Sequence, residues 1–125
     1  MLKNKSAVVT GSTSGIGFGI AQAMARSGAN VMLNGFGEAT MIEKLRSYLA
    51  TETGVLVLHH PADVSQPAEV AALIAATESA FGSVDVLVNN AGIQHVAPVD
   101  EFPDEKWTAI QNIVLNSSYH AIKAA

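Results

Sequence analysis

Tyr119 and Lys123, in the stretch "YHAIK", stand four residues apart, a spacing that puts both side chains on one face of a helix. A lysine cation beside a phenol stabilises the phenolate and lowers its pKa, so such a pair can act as acid and base. On an outward helix face the same two residues are a packing aromatic and a solvated cation. A second group of candidates surrounds the glycines of "TGSTSGIGFG" (10–19), joined further on by Asp63-Val64, by "NNAG" (89–92) and by Gln94 in "GIQH".

The glycine segment has the makings of a phosphate cradle. A lysine-based phosphate loop needs Gly-Lys-Ser or Gly-Lys-Thr, and no lysine is present here. The spacing is Gly11-x3-Gly15-x-Gly17, which departs from strict G-x-G-x-x-G. Gly11 permits a sharp exit from a strand. Gly15 lets backbone amides approach a pyrophosphate at a helix N-terminus, where the dipole favours negative charge. Gly17 lets that helix lie close to a sheet. An ordinary loop of small residues between strand and helix is the alternative reading. His59 and His60 have no partner at metal-ligand spacing, and no metal site is assigned. With no cysteine in the chain, disulfides, thiolate nucleophiles and Cys-ligated zinc are excluded.

The elements that must position these residues follow a strand–helix rhythm. "AVVTG" (7–11) reads as a buried strand, and Ile16, Ile20 and Met24 form a helical stripe after it. "VML" (31–33) is the second strand, followed by a helix with Ile42, Leu45 and Leu49 on one face, closed by Gly54. "VLVLH" (55–59) is the third. Ser65 is placed to cap the next helix, Pro67 suits its first turn, and Val70, Leu73, Ile74 and Phe81 form its stripe. After Gly82 comes the fourth strand, "VDVLVN" (84–89), then a long helix from about Pro103. Trp107, Ile110 and Val114 are its expected buried stripe. Alternation of this kind predicts βαβ crossovers and a parallel sheet covered on both faces, an α/β doubly wound fold in a single domain, 1–125.

Composition narrows the function classes. About half of the 125 residues are apolar and 14% are charged, as in a folding chain. The net charge is -4 and the seven Lys and Arg are scattered, which argues against nucleic-acid or anionic-membrane partners. No run of apolar residues is long enough for a membrane span, and the start lacks a cleavage-site pattern, so a cytoplasmic protein is expected.

Taken together, "TGSTSGIG", Asp63-Val64 and "NNAG", each at the end of a predicted strand and in this order, resemble the short-chain dehydrogenase/reductase family. The resemblance implies a Rossmann-like sheet of order 3-2-1-4, with the glycine turn and "NNAG" facing one crevice where the order reverses. It implies that Gly11, Thr13, Ser14, Gly15, Ile16 and Gly17 hold a nicotinamide dinucleotide. Asp63 and Val64 would then meet its adenine, and Asn90, Ala91 and Gly92 would line its path. Longer stretches, including "LNGFG" and "VLVNNAGIQHVAPVDEFPDEKW", are similar to the D-3-hydroxybutyrate dehydrogenase branch of that family. There Gln94 would bind the carboxylate of a small hydroxy or keto acid, and the complete enzyme would be a homo-oligomer, a tetramer.

Cofactor choice is read at the end of strand two, "NGFG" (34–37). Gly35 stands where an acidic residue would bond the ribose, yet no Lys or Arg in 34–37 or in the glycine turn offsets a 2′-phosphate. NAD is therefore expected, with Phe36 as an apolar wall for the adenosine or a plug for the sheet edge. In the family the catalytic Ser and Tyr-x3-Lys lie beyond a fifth strand, whereas only residues 93–118 separate "NNAG" from Tyr119. No catalytic residue is assigned, and Tyr119 and Lys123 are read as helix surface. Relatives carry a helix Asn where Val114 stands, flanked here by Asn112 and Asn116. The expectation is a chain that stops before the fifth strand and is inactive alone. Its unpaired strand edge would favour self-association. A non-catalytic NAD-binding fragment, or a reductase of another small alcohol or ketone, are the alternatives.

Overall fold

Short apolar runs ending at glycine or polar turns give four strands, and the amphipathic runs between them give the crossover helices. The computed structural model describes residues 1–125. Strands β1 (Ser6–Val9), β2 (Asn30–Asn34), β3 (Val57–His60) and β4 (Val86–Val88) alternate with helices α1 (Gly15–Arg26), α2 (Ala39–Thr53) and α3 (Pro67–Phe81). All pairings are parallel and the order is β3-β2-β1-β4, the doubly wound arrangement expected from the strand–helix rhythm. Val9 lies level with Leu33 on one side and Val88 on the other, which fixes the register at the C-terminal ends.

Successive strand residues point to opposite faces, so the sheet carries two cores. Val9, Val31, Leu33 and Val57 pack with Ala21 and Ala25 of α1 and Leu49 of α2. Val8 and Met32 pack on the other face with Leu73 and Ile74 of α3. Helices α2 and α3 end at Gly54 (φ 76°) and Gly82 (φ 88°), in the left-handed region that glycine enters without a Cβ clash. At the start of α3, Pro67 takes the first turn, but Gln66 precedes it as the cap residue. Ser65 does not cap: its N–H and hydroxyl both donate to Asp63 Oδ1, at 3.0 and 2.6 Å.

Two apolar stripes differ from the sequence reading. In α1 the buried residues are Gly17, Ala21 and Ala25, while Ile20 and Met24 only flank the core and Ile16 is 79% exposed. Small side chains bring the helix axis close to the sheet, and the larger ones splay to the sides. The last helix differs more. It runs as α4 (Asp104–Ile110), a π-helical stretch (Gln111–Asn116) and α5 (Ser117–Ala124). The wider π turns rotate α5 relative to α4, so Trp107 (60% exposed) and Val114 do not form a buried stripe. Instead Ser117 and Ala121 are buried, Ala121 in a third cluster with Val64 and Val70, against which Ile113 packs. Ser117 and Ser118 donate their hydroxyls to the carbonyls of Ile113 and Val114, bonds that compete with the helix ladder at this point. No helix is long and apolar enough to cross a membrane.

Candidate functional site

The parallel strands all deliver their exits to one end of the sheet, and the neighbours β1 and β4 deliver theirs side by side. Thr10, directly after β1, is buried, and its hydroxyl accepts the N–H groups of Asn90 and Ala91, both at 3.0 Å. Asn90 answers by donating Nδ2 to the carbonyls of Thr10 (3.2 Å) and Gly11 (3.1 Å). Gly11 has φ 61°, and a Cβ there would stand 2.9 Å from Ala91 Cα. A Cβ on Gly17 would stand 2.2 Å from the Gly11 carbonyl oxygen and 2.5 Å from Asn90 Nδ2. The glycines therefore let three backbones meet where any side chain would hold them apart.

Asn34 makes the corresponding junction on the other side. It ends β2, is 2% exposed, and accepts the Gly11 N–H through Oδ1 at 3.2 Å. Its Nδ2 donates to the carbonyls of His60 (3.1 Å), the last residue of β3, and Ala62 (3.0 Å), just beyond it. Ser12, also buried, donates its hydroxyl to Val9 O at 2.7 Å and its N–H to Asn34 O at 2.6 Å. Thr13 donates to the Phe36 carbonyl at 3.0 Å, and a Cβ on Gly35 would meet Thr13 Oγ1 at 2.5 Å. His59 Nε2 lies 2.9 Å from the Gly35 carbonyl, which can only accept.

Two of the helix N-termini at this end are treated differently. The Glu38 carboxylate accepts the N–H groups of Thr40 and Met41, at 3.0 and 2.9 Å, so α2 carries its own anion. Those two bonds hold the Glu38 carboxyl below the ordinary glutamate range. At α1 the cap residue Ser14 makes no side-chain bond, and no acid lies in the first turn. Its amide donors and positive dipole end face outward with no anion of the chain's own.

Between these junctions lies a crevice of about 300 Å³, lined by Gly11, Thr13, Ser14, Phe36, Asp63, Val64, Asn90, Ala91 and Gly92, all singled out in the sequence. Asn34, Gly35, Ala62, Ile93 and Ile113 complete it. Gly15, Ile16 and Gly17 sit at the mouth of α1 and are not part of the lining, nor is Gln94, which is exposed on the loop after Gly92. Tyr119 and Lys123 stand outside the crevice on the exposed face of α5, with Lys123 Nζ 5.9 Å from the Tyr119 ring centroid. Asn116 donates Nδ2 to Asn112 Oδ1 at 2.9 Å, both on the helix surface side. Sequence reasoning missed Thr10, Ser12, Asn34 and Ile113. The signal for the first three was a small polar residue inside or just after an apolar strand, where it has to find a partner.

A larger hollow of about 540 Å³ lies beyond Phe36, between α2 and the edge of β3. Its one guanidinium, Arg46, is spent on Glu43 (2.8 and 2.5 Å) and on the Val57 carbonyl (3.0 Å). The pairing keeps Glu43 ionised below its usual range and raises Arg46. Size alone does not make this the site: the converging amides and unfilled helix N-terminus belong to the smaller crevice.

Comparison with known proteins agrees with that geometry. The family model described as short chain dehydrogenase matches residues 5–125. The chain is 47% identical over 121 residues to a D-beta-hydroxybutyrate dehydrogenase of Rhizobium meliloti (strain 1021), covering 97% of this chain and 47% of that one. It is 48% identical over 126 aligned positions to the enzyme of the same name from Cupriavidus necator, covering 100% and 48%. It superposes on L-sorbose reductase from Gluconobacter frateurii, solved with NADPH and L-sorbose, with a TM-score of 0.92 at 33% identity over 98% of this chain and 46% of that one. The chain thus spans about half the length of the curated relatives it matches. With its glycine turn and its Asn90–Gly92 segment bonded around one crevice, the chain belongs to the short-chain dehydrogenase family.

Proposed function

We propose that residues 1–125 are the dinucleotide-binding unit of an NAD-dependent oxidoreductase that converts D-3-hydroxybutyrate to acetoacetate. The observation that carries the reading is the joining of the Gly11 turn to Asn90 and Ala91 through Thr10, which walls one crevice from two neighbouring strands. The residues present fit a nicotinamide dinucleotide. Uncapped amides at the start of α1 suit a pyrophosphate, and Gly11 and Gly17 keep side chains out of its approach. Asp63, Val64 and Phe36 offer a slot for the adenosine, and Asn90 to Gly92 border the path toward the nicotinamide. When bound, the dinucleotide supplies the hydride acceptor, and this chain's residues hold and orient it.

NAD is favoured over NADP by charge. The crevice lining contains no Lys or Arg, the guanidinium behind Phe36 is neutralised by Glu43, and Glu38 already fills the N-terminus of α2. The 2′-phosphate of NADP would lose its hydration without gaining a cation. The substrate reading rests on the hydroxybutyrate dehydrogenases at 47% and 48% identity and on Gln94, whose uncharged amide can orient a small carboxylate. The proton-transfer groups are expected from polypeptide outside these residues, since Tyr119 stands away from the crevice.

Two measurements test the reading. Calorimetric titration of the chain should give a saturable NAD signal and at least tenfold weaker NADP binding; absence of both overturns the cofactor. Fused to the C-terminal half of the Rhizobium meliloti relative, the chain should support NADH formation from D-3-hydroxybutyrate. Gln94→Ala in that fusion should raise KM for hydroxybutyrate while leaving KM for NAD in place. Turnover of other small alcohols but not of hydroxybutyrate overturns the substrate.

A further inference from the structure

We infer that Asn34 is a positioning residue that sets the gap between the glycine turn and the β3 exit, the gap in which the adenosine half of the dinucleotide would lie. The inference rests on the dinucleotide reading of the crevice. Asn34 borders the crevice, but its amide oxygen and both amide hydrogens are already bonded to the chain. Oδ1 takes the Gly11 N–H, and the two hydrogens of Nδ2 go to the carbonyls of His60 and Ala62. Exchanging the oxygen and nitrogen would set N–H against N–H and carbonyl against two carbonyls, so the amide orientation is fixed by its partners. One planar group thus joins the exit of β1 to the exit of β3, across the end of β2 that lies between them. No other buried side chain of the chain bonds to both turns.

The demand on this position is specific. It needs one acceptor and two donors in one plane, on a side chain that is only 2% exposed. Leucine offers none of these, and glutamine is one methylene too long. Aspartate keeps the shape and the Gly11 bond but turns an oxygen toward two carbonyls. An ionised carboxylate in the Asn34→Asp chain is repelled there, while a protonated one donates to one of the two. The competent geometry therefore raises the carboxyl pKa, and the contribution it makes is present at low pH and lost as pH rises through that raised value. Other ionisable groups close by are His60, whose Nδ1 accepts the Ala62 N–H, His59 on the Gly35 carbonyl, and Asp63, which accepts from Ser65. They are common to all three chains, so the pH dependence that wild type and N34A share is theirs, and N34D is read against it.

The experiment is calorimetric titration of NAD into the 125-residue chain as wild type, Asn34→Asp and Asn34→Ala, between pH 5.5 and pH 8.5, with circular dichroism of each. N34D should bind at least tenfold more weakly than wild type at the alkaline end and recover most of that loss at the acid end. N34A should be weakened by a similar factor at every pH. N34D keeps the size of the native side chain, so it decides the matter even where N34A does not fold. An N34D chain that binds like wild type at pH 8.5, or is weakened equally at all pH values, overturns the role of Asn34. A wild type that binds no NAD overturns the dinucleotide reading instead, and the two failures are told apart by that arm.

Discussion

Thr10 and Asn90 are bonded twice: the Thr10 hydroxyl accepts the Asn90 N–H at 3.0 Å, and Asn90 Nδ2 returns a bond to the Thr10 carbonyl at 3.2 Å. One side chain comes from the exit of β1 and the other from the exit of β4, so the pair fixes how far apart the two walls of the crevice can stand. Thr10→Val keeps the branched shape and removes the acceptor, leaving the N–H groups of Asn90 and Ala91 without it. Each donor stranded in this way costs about 1–3 kcal/mol when buried. Both are only partly buried, so the lower end of that range is expected in urea unfolding, together with weakened NAD binding. Unchanged stability and affinity in T10V would show that water replaces the hydroxyl without loss.

The fold was open to sequence reading because its signals are local. Strands such as "AVV" and "VML" are apolar on both faces, and Gly54 and Gly82 end helices by a conformation that only glycine enters cheaply. The crevice was open for a related reason: each of its motifs follows a strand directly, and parallel strands gather their exits at one end. The parts that stayed hidden depend on non-local partners. Asn34 reads as an ordinary polar residue until β1 and β3 bring carbonyls and an N–H around it. The stripe on the last helix failed because periodicity assumes one uniform turn, and the π turns at 111–116 break that assumption between Trp107 and Ala121.

Two glycines of α1 should respond in opposite directions to the same substitution. Gly17→Ala drives a Cβ to 2.2 Å from a backbone oxygen, so the helix must move away from the turn. A cost of about 1–3 kcal/mol and at least tenfold weaker NAD binding are expected. Gly19 has nothing within 4 Å of a built Cβ, and Gly19→Ala should stabilise the helix by about 0.5–1 kcal/mol. Thermal and urea unfolding of the two variants decide it; equal effects would mean that Gly17 is not pinned between helix and turn.

The cap at α2 gives a pH signature. Backbone N–H groups of Thr40 and Met41 lower the Glu38 pKa from 4.5. A carboxyl whose folded pKa is depressed contributes stability above its unfolded value and loses it as pH falls through the folded one. Wild type should therefore melt above Glu38→Ala at pH 7, with the difference shrinking as pH drops below about 4.5 and vanishing in more acid solution. Because Asp85 and Glu43 titrate in both chains, the difference between melting curves isolates Glu38. A gap that persists undiminished in acid would assign it to cap bonds accepted by the neutral carboxyl and not to the charge.

The last helix offers a test of which of its faces is structural. Ala121 is buried in one cluster with Val64 and Val70, at 1% exposure. Ala121→Leu inserts three carbons there and should cost about 1–3 kcal/mol by overpacking. Trp107, despite its size, is mostly exposed, so Trp107→Ala should change the stability of the chain by no more than about 0.5 kcal/mol. Tyr119→Phe removes a hydroxyl that no residue of the crevice meets, and it should leave NAD affinity unchanged. The three measurements discriminate between two placements of the helix. Were it seated by the Trp107–Ile110–Val114 face, W107A would be the damaging change and A121L the tolerated one. Were Tyr119 turned into the crevice, its loss of a hydroxyl would be felt in the calorimeter.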